Sequence, residues 1–159
     1  MTDTFTALEE QIKELDAEIN RRSTADLVAK RLMTIPGVGP IAATAITALV
    51  PAAEGFRAGW DFAAWLGLTP LQKSTGGKQK LGRISKRGER TIRRLLILGA
   101  SAVIRQASLR GAPTGSWLAQ MLPRKPKMLV IVALANKTAR IVWALLVKGG
   151  VYRTPVPAA

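Results

Sequence analysis

Nine of the chain's 24 basic residues fall within residues 72–94, QKSTGGKQKLGRISKRGERTIRR, where Glu89 is the only acid between Lys73 and Arg94. Ser74 and Thr75 run directly into Gly76 and Gly77. The glycines let a backbone or a ligand come close, a hydroxyl stands beside that point, and positive charge surrounds it. The natural occupant is phosphate, and with this many cations a polymer of phosphates. On a helical wheel Lys86, Arg87, Arg90, Arg93 and Arg94 share one narrow arc, while Ile92, Leu95, Leu96, Gly99 and Val103 lie opposite. This predicts a helix seated on its core with a cationic stripe turned to a phosphate backbone. A face that is merely solvated usually mixes signs, and here Glu89 falls off the stripe.

The charge is uneven along the chain as well. Residues 1–60 hold eight acids and six bases, whereas residues 90–159 hold twelve bases and no acid, giving +14 overall. Such asymmetry points to a nucleic-acid partner, with an acidic membrane surface as the weaker alternative. At 159 residues and 48% apolar composition the chain can bury a real core. It has no cysteine, which removes disulfide and redox chemistry and fits a cytoplasmic setting. It has no histidine, which removes the usual zinc ligand and the usual general base together. The most apolar stretch, residues 128–147, carries Asn136, Lys137 and Arg140 near its middle, a heavy penalty at a bilayer centre. It is expected to be a buried helix, with no membrane partner.

Almost no alternating strand pattern is visible, so the expected fold is all-α. Residues 1–34 form an N-terminal helical segment, residues 35–152 a compact helical domain, and residues 153–159 a tail. Phe5, Leu8, Ile12, Leu15 and Ile19 recur at spacings of three and four, an a/d seam. Either it forms a coiled coil with a second copy or a partner subunit, or it is an ordinary amphipathic helix packed on its own domain. In IPGVGP, Gly37 and Gly39 bracket Val38 in a tight turn, and Pro40 suits the first turn of the next helix. The pattern resembles a helix-hairpin-helix element, whose glycines let backbone N–H groups reach a DNA phosphate. The plainer alternative is a turn that only packs. Trp60 and Trp65 in residues 56–68 could stack on bases, but their place beside Phe62 and Leu66 favours the core.

Ser74, Thr75 and Ser85 are the nucleophile candidates among the cations. A serine hydroxyl needs a base or a metal to assist it, and the residues supply neither, so on chemistry alone Ser74 is a phosphate or loop ligand. The ordered set IPGVGP, FAAWLGLTP, QKSTGGK, GRISKRGERTIRRLLILGA and LLVKGGVYR, spanning residues 35–152, resembles the C-terminal domain of IS116/IS110/IS902-type insertion-sequence transposases. The resemblance implies a DNA recombinase in which a serine just before the glycines links covalently to DNA. That position falls on Ser74, with Thr75 next. Gly76, Gly77 and Lys78 would shape the loop and hold the phosphate, and Ser85 with Lys86 would contact backbone or loop. It also implies a guide RNA, and an upstream coiled coil matching the heptad helix. Family members carry Mg2+ on a RuvC-like domain whose four acids have no counterpart here. The resemblance therefore implies the second half of a transposase (a truncated copy, a split gene or a fragment) with no cofactor of its own and little activity alone. The rival reading is a non-catalytic nucleic-acid-binding module.

Overall fold

The computed structural model describes residues 2–73, 76–78 and 80–154. Seven helices and one small hairpin make up the described residues: α1 Thr2–Ala25, α2 Leu27–Leu32, α3 Pro40–Leu49, α4 Gly59–Trp65, β1 Pro70–Gln72, β2 Leu81–Ile84, α5 Arg90–Arg110, α6 Trp117–Met121 and α7 Lys127–Lys148, with a 3-10 turn at Ala53–Gly55. The expected helical fold is present. The hairpin is the departure, and its brevity explains why no alternation announced it. The strands have three and four residues, are mostly exposed, and pair antiparallel through Pro70 with Ile84 and Gln72 with Leu81 across an irregularity.

The helix boundaries follow from the residues that stand at them. Asp26 caps α2 by accepting hydrogen bonds from the Val28 and Ala29 amides at 2.8 and 3.3 Å. Pro40 opens α3. Ser116 caps α6 through the Ala119 amide at 3.2 Å. Gly111 and Gly149, both at positive φ, follow the last residues of α5 and α7.

α5 and α7 form the central pair, α4 lies along α7, and α3 bridges α5 to α1 and α2. Their shared interior contains Leu32, Ile46, Phe62, Leu66, Ile92, Leu96, Ile104, Val130 and Val142, all essentially inaccessible to water. Ala29 and Leu32 of α2 belong to this core, so the packing runs across position 34 without a break. α7 is long and apolar enough to cross a membrane by length and composition alone. Here it is a core helix, contributing Val130, Ile131, Ala135, Ala139 and Val142 to the interior. Its polar groups are used inside the fold: Asn136 Nδ2 donates to the Leu68 carbonyl at 3.1 Å, and Trp143 Nε1 to the Ala53 carbonyl at 3.1 Å. At the far end, the Tyr152 amide donates to Thr34 Oγ1 at 2.9 Å, tying the chain's last segment to the turn after α2.

α1 stands apart. Phe5, Leu8, Ile12 and Leu15 are 52–70% exposed, whereas toward the C-terminal end Glu18 and Ile19 are half-buried and Ser23 is buried.

Candidate nucleic-acid interface

The glycine-rich segment is the tip of the β1–β2 hairpin. The Lys73 amide donates to the Lys80 carbonyl at 2.8 Å and closes the base of the loop. Gly76 and Gly77 hold φ of 60° and 77° with open space around both, so their role is backbone shape rather than close packing. Lys78 is exposed beside them. Ser74, Thr75 and Gln79 lie outside the described residues.

The hairpin root is clamped to the C-terminal end of α4. The Ser85 amide donates to the Thr69 carbonyl at 2.9 Å, the Lys86 amide to Gly67 at 3.1 Å, and the Glu89 amide to Trp65 at 3.1 Å. A Cβ at Gly88 would stand 1.9 Å from the Trp65 carbonyl oxygen, and one at Gly67 would stand 2.1 Å from that of Arg87. Both glycines are therefore required by backbone contact. Glu89 then caps α5, its carboxylate accepting from the Thr91 and Ile92 amides.

This geometry revises the cationic stripe in two ways. Lys86 and Arg87 precede α5 and sit in the clamp, so the helical wheel does not describe them. Arg93 is only 9% exposed, and its Nη1 donates to the Leu66 carbonyl at 2.9 Å. It finishes α4 by satisfying an end carbonyl where the helix dipole favours a cation. It is not part of the exposed face. The other eight bases, Lys73, Lys78, Lys80, Arg83, Lys86, Arg87, Arg90 and Arg94, are all exposed. None of them takes part in the ion pairs found among the described residues, which join Glu18 to Arg21 and Arg22 and Asp61 to Arg57.

Gly37 and Gly39 lie farther along α5 than these bases. Their turn, between α2 and α3, lies against Gly99, about 8 Å along α5 from Arg94 and about 14 Å from Arg90 at ~1.5 Å per residue. Gly37 is at φ 86° and is used for that contact, whereas Gly39 is extended, exposed and precedes α3 without a side-chain cap.

The tryptophans divide. Trp65 is half-buried with ring centroids 5.6 Å from Phe56 and 5.8 Å from Phe62, as its sequence context suggests. Trp60 does not follow the core expectation. It is 60% exposed, with the Arg140 guanidinium 4.1 Å from its ring centroid. Lys137, one turn earlier on α7, sits 5.1 Å from the Trp117 ring. No sequence signal joins Trp60 to Arg140, eighty positions on, or Trp117 to Lys137, twenty positions on, so these pairs are not legible in the sequence.

A model of the "Transposase IS116/IS110/IS902 family" matches residues 29–112. A protein described as "Probable family 20 transposase" from Pseudomonas aeruginosa is 46% identical over 153 residues, covering 96% of this chain and 45% of that protein. The transposase for insertion sequence element IS1328 of Yersinia enterocolitica is 38% identical, covering 90% of this chain and 43% of that protein. The transposase for element IS1111A of Coxiella burnetii is 37% identical, covering 91% and 40%. The chain spans less than half the length of these relatives. Together with the matched motifs and the helical frame that carries them, this places the chain in the IS116/IS110/IS902 transposase family.

Proposed function

We propose that this chain is the DNA-binding and serine-recombinase portion of an insertion-sequence transposase, acting on DNA in the cytoplasm. The observation that carries the reading is the run of eight exposed bases, in no ion pair among the described residues, carried by the hairpin, its root and the first turns of α5, in a segment whose sequence sets Ser74 two positions before Gly76. Phosphates take the place of the missing carboxylates, and the open space around Gly76 and Gly77 would let one phosphodiester approach.

In the proposed step, Ser74 Oγ attacks phosphorus. The Oγ–P bond forms as the bond from phosphorus to one deoxyribose oxygen breaks. The hydroxyl gives up its proton, and the departing oxygen gains one. The ester count is unchanged, so reversal with a different strand end rejoins DNA. The exposed bases offset charge on the pentavalent phosphate. The hydroxyl proton needs an acceptor, and Glu89, the one acid in the segment, is occupied as the cap of α5. The described residues also hold no group of three or more acidic, histidine or cysteine side chains that could hold a metal ion. A RuvC-like domain elsewhere in the assembly would carry Mg2+.

α1 would join copies, or a partner subunit, through its exposed seam, and a guide RNA would share the basic face. Gly39 and the uncapped start of α3 would offer a second phosphate contact. The test is covalent capture. With the complete assembly, Mg2+ and guide RNA, labelled DNA should become attached to the chain in denaturing gels. Ser74→Ala should remove the adduct, and Thr75→Ala should largely spare it. Capture that survives Ser74→Ala but not Thr75→Ala moves the nucleophile by one residue. No capture by any assembly leaves a non-catalytic nucleic-acid-binding module.

A further inference from the structure

Trp60 is a large aromatic left in water while the rings around it are gathered inward. It is the second residue of α4, and one face of its indole rests on the Arg140 guanidinium, 4.1 Å from the ring centroid. Arg140 Nε is buried and has no hydrogen-bond partner, so the ring rather than a carboxylate holds this guanidinium. Gly59 makes the arrangement possible, since a Cβ there would meet the Arg140 backbone at 3.2–3.3 Å. The charges nearby are mainly positive. Arg57 is almost fully exposed, Lys137 lies one turn from Arg140, and Asp61, the acid of α4, faces Arg57 at 3.6 Å. The other end of α4 is the clamp beneath the basic hairpin, about 10 Å away along the helix.

A supported aromatic face flanked by cations matches the chemistry of an unpaired nucleotide, whose base stacks while its phosphate meets positive charge. A duplex does not fit, because its bases already stack on one another. We propose that Trp60, backed by Arg140, is a stacking platform for a base of single-stranded nucleic acid, at a site separate from the hairpin tip. The inference rests on the nucleic-acid reading above and extends it from phosphate contacts to a base contact. The strand is either DNA opened during strand exchange or unpaired RNA. Both present the same base face.

The experiment measures binding of the full chain to labelled oligo-dT, to oligo-U, and to a DNA duplex of equal length. Trp60→Ala should weaken single-strand binding about 5- to 150-fold, leave duplex binding unchanged, and leave the salt slope unchanged because no cation is lost. Trp60→Phe should retain most of the affinity while removing part of the tryptophan quenching that accompanies binding. Stronger loss on oligo-U than on oligo-dT assigns the site to RNA, and the reverse assigns it to DNA. Because Trp60 is mostly exposed, an unchanged melting temperature will show that the variants fold. Unchanged single-strand affinity in Trp60→Ala overturns the proposal. So does an equal loss on duplex, or burial of Trp60 fluorescence by self-association without nucleic acid. If Arg90→Gln and Arg94→Gln weaken binding while Trp60→Ala does not, the nucleic-acid reading survives and the stacking site falls. If the unmodified chain binds none of the three probes, both fall.

Discussion

Arg93 Nη1 lies 2.9 Å from the Leu66 carbonyl oxygen, and this contact separates one arginine of the basic segment from its neighbours. Arg93 should matter to folding and its neighbours to binding. Arg93→Met should cost about 1.5–3 kcal/mol, the range for a hydrogen bond to a charged group, read from the denaturant midpoint, with no change in the salt dependence of DNA binding. Arg90→Gln and Arg94→Gln should leave stability within about 0.5 kcal/mol. Each should flatten the slope of log K against log salt by about 0.9 on duplex DNA. If Arg93→Met alone flattens the slope, the buried guanidinium reaches phosphate after all.

Gly99 presents a second separation of packing from binding. A Cβ at this position would stand 1.9 Å from the Gly37 carbonyl oxygen, and that atom is backbone, so it has little room to yield. Gly99→Ala should therefore destabilise the protein by about 1–3 kcal/mol from overpacking, even though alanine favours a helix by about 1 kcal/mol over glycine. Gly39 has nothing within 4 Å of its Cβ position. Gly39→Ala should be tolerated within about 1 kcal/mol at this extended φ. A loss of DNA affinity in the Gly39 variant at unchanged stability would support the phosphate contact at the start of α3.

The fold was legible where a pattern was long. The apolar face of α5, the apolar run of α7 and the Gly-Val-Gly-Pro turn each declare themselves over several residues. The hairpin did not, since three- and four-residue exposed strands carry no period. The wheel misplaced Arg93 because periodicity assigns a direction and cannot see an unsatisfied carbonyl at the end of a different helix. It misplaced Lys86 and Arg87 because Glu89 starts the helix after them. Trp60 was assigned to the core by its neighbours in sequence, whereas its exposure depends on Gly59 and Arg140 meeting across α4 and α7.

The exposed seam of α1 sets the next expectation. Leu8→Asp with Leu15→Asp should abolish self-association in sedimentation experiments while leaving the melting of the helical core unchanged, because both side chains are more than half exposed. A lowered melting temperature at low protein concentration would instead mean that α1 folds back on its own core.

The same helix should respond to acid. The Glu18 carboxylate accepts from Arg21 at 2.7 and 2.8 Å and from Arg22 at 2.7 Å. These bonds, those from Arg21 first, hold its pKa down from 4.5 to about 2. A carboxylate favoured in the folded form supports the helix fully above its ordinary pKa and loses that support as pH falls toward the depressed one. Far-UV circular dichroism should thus show α1 weakening between about pH 4.5 and about pH 2, and Glu18→Gln should remove that part of the transition. High salt should shrink it, since the pairs face solvent.

Lys86 offers the sharpest opposition between stability and function. Among the described residues it is the only non-glycine at positive φ, 55°, between the β2 strand and Arg87. A lysine in the left-handed region costs roughly 1–2 kcal/mol relative to a permitted conformation, and glycine would relieve that strain. The Lys86 amide is already used, donating to Gly67, so glycine would keep the clamp. The side chain is exposed and unpaired by any carboxylate among the described residues. Lys86→Gly should therefore leave the protein as stable as before, or raise stability by up to about 1 kcal/mol, while weakening DNA binding and flattening the salt slope by about 0.9. Asparagine, which tolerates this conformation without a charge, should behave like glycine in binding. Loss of stability in both variants, with the salt slope intact, would make Lys86 a structural residue and remove it from the interface.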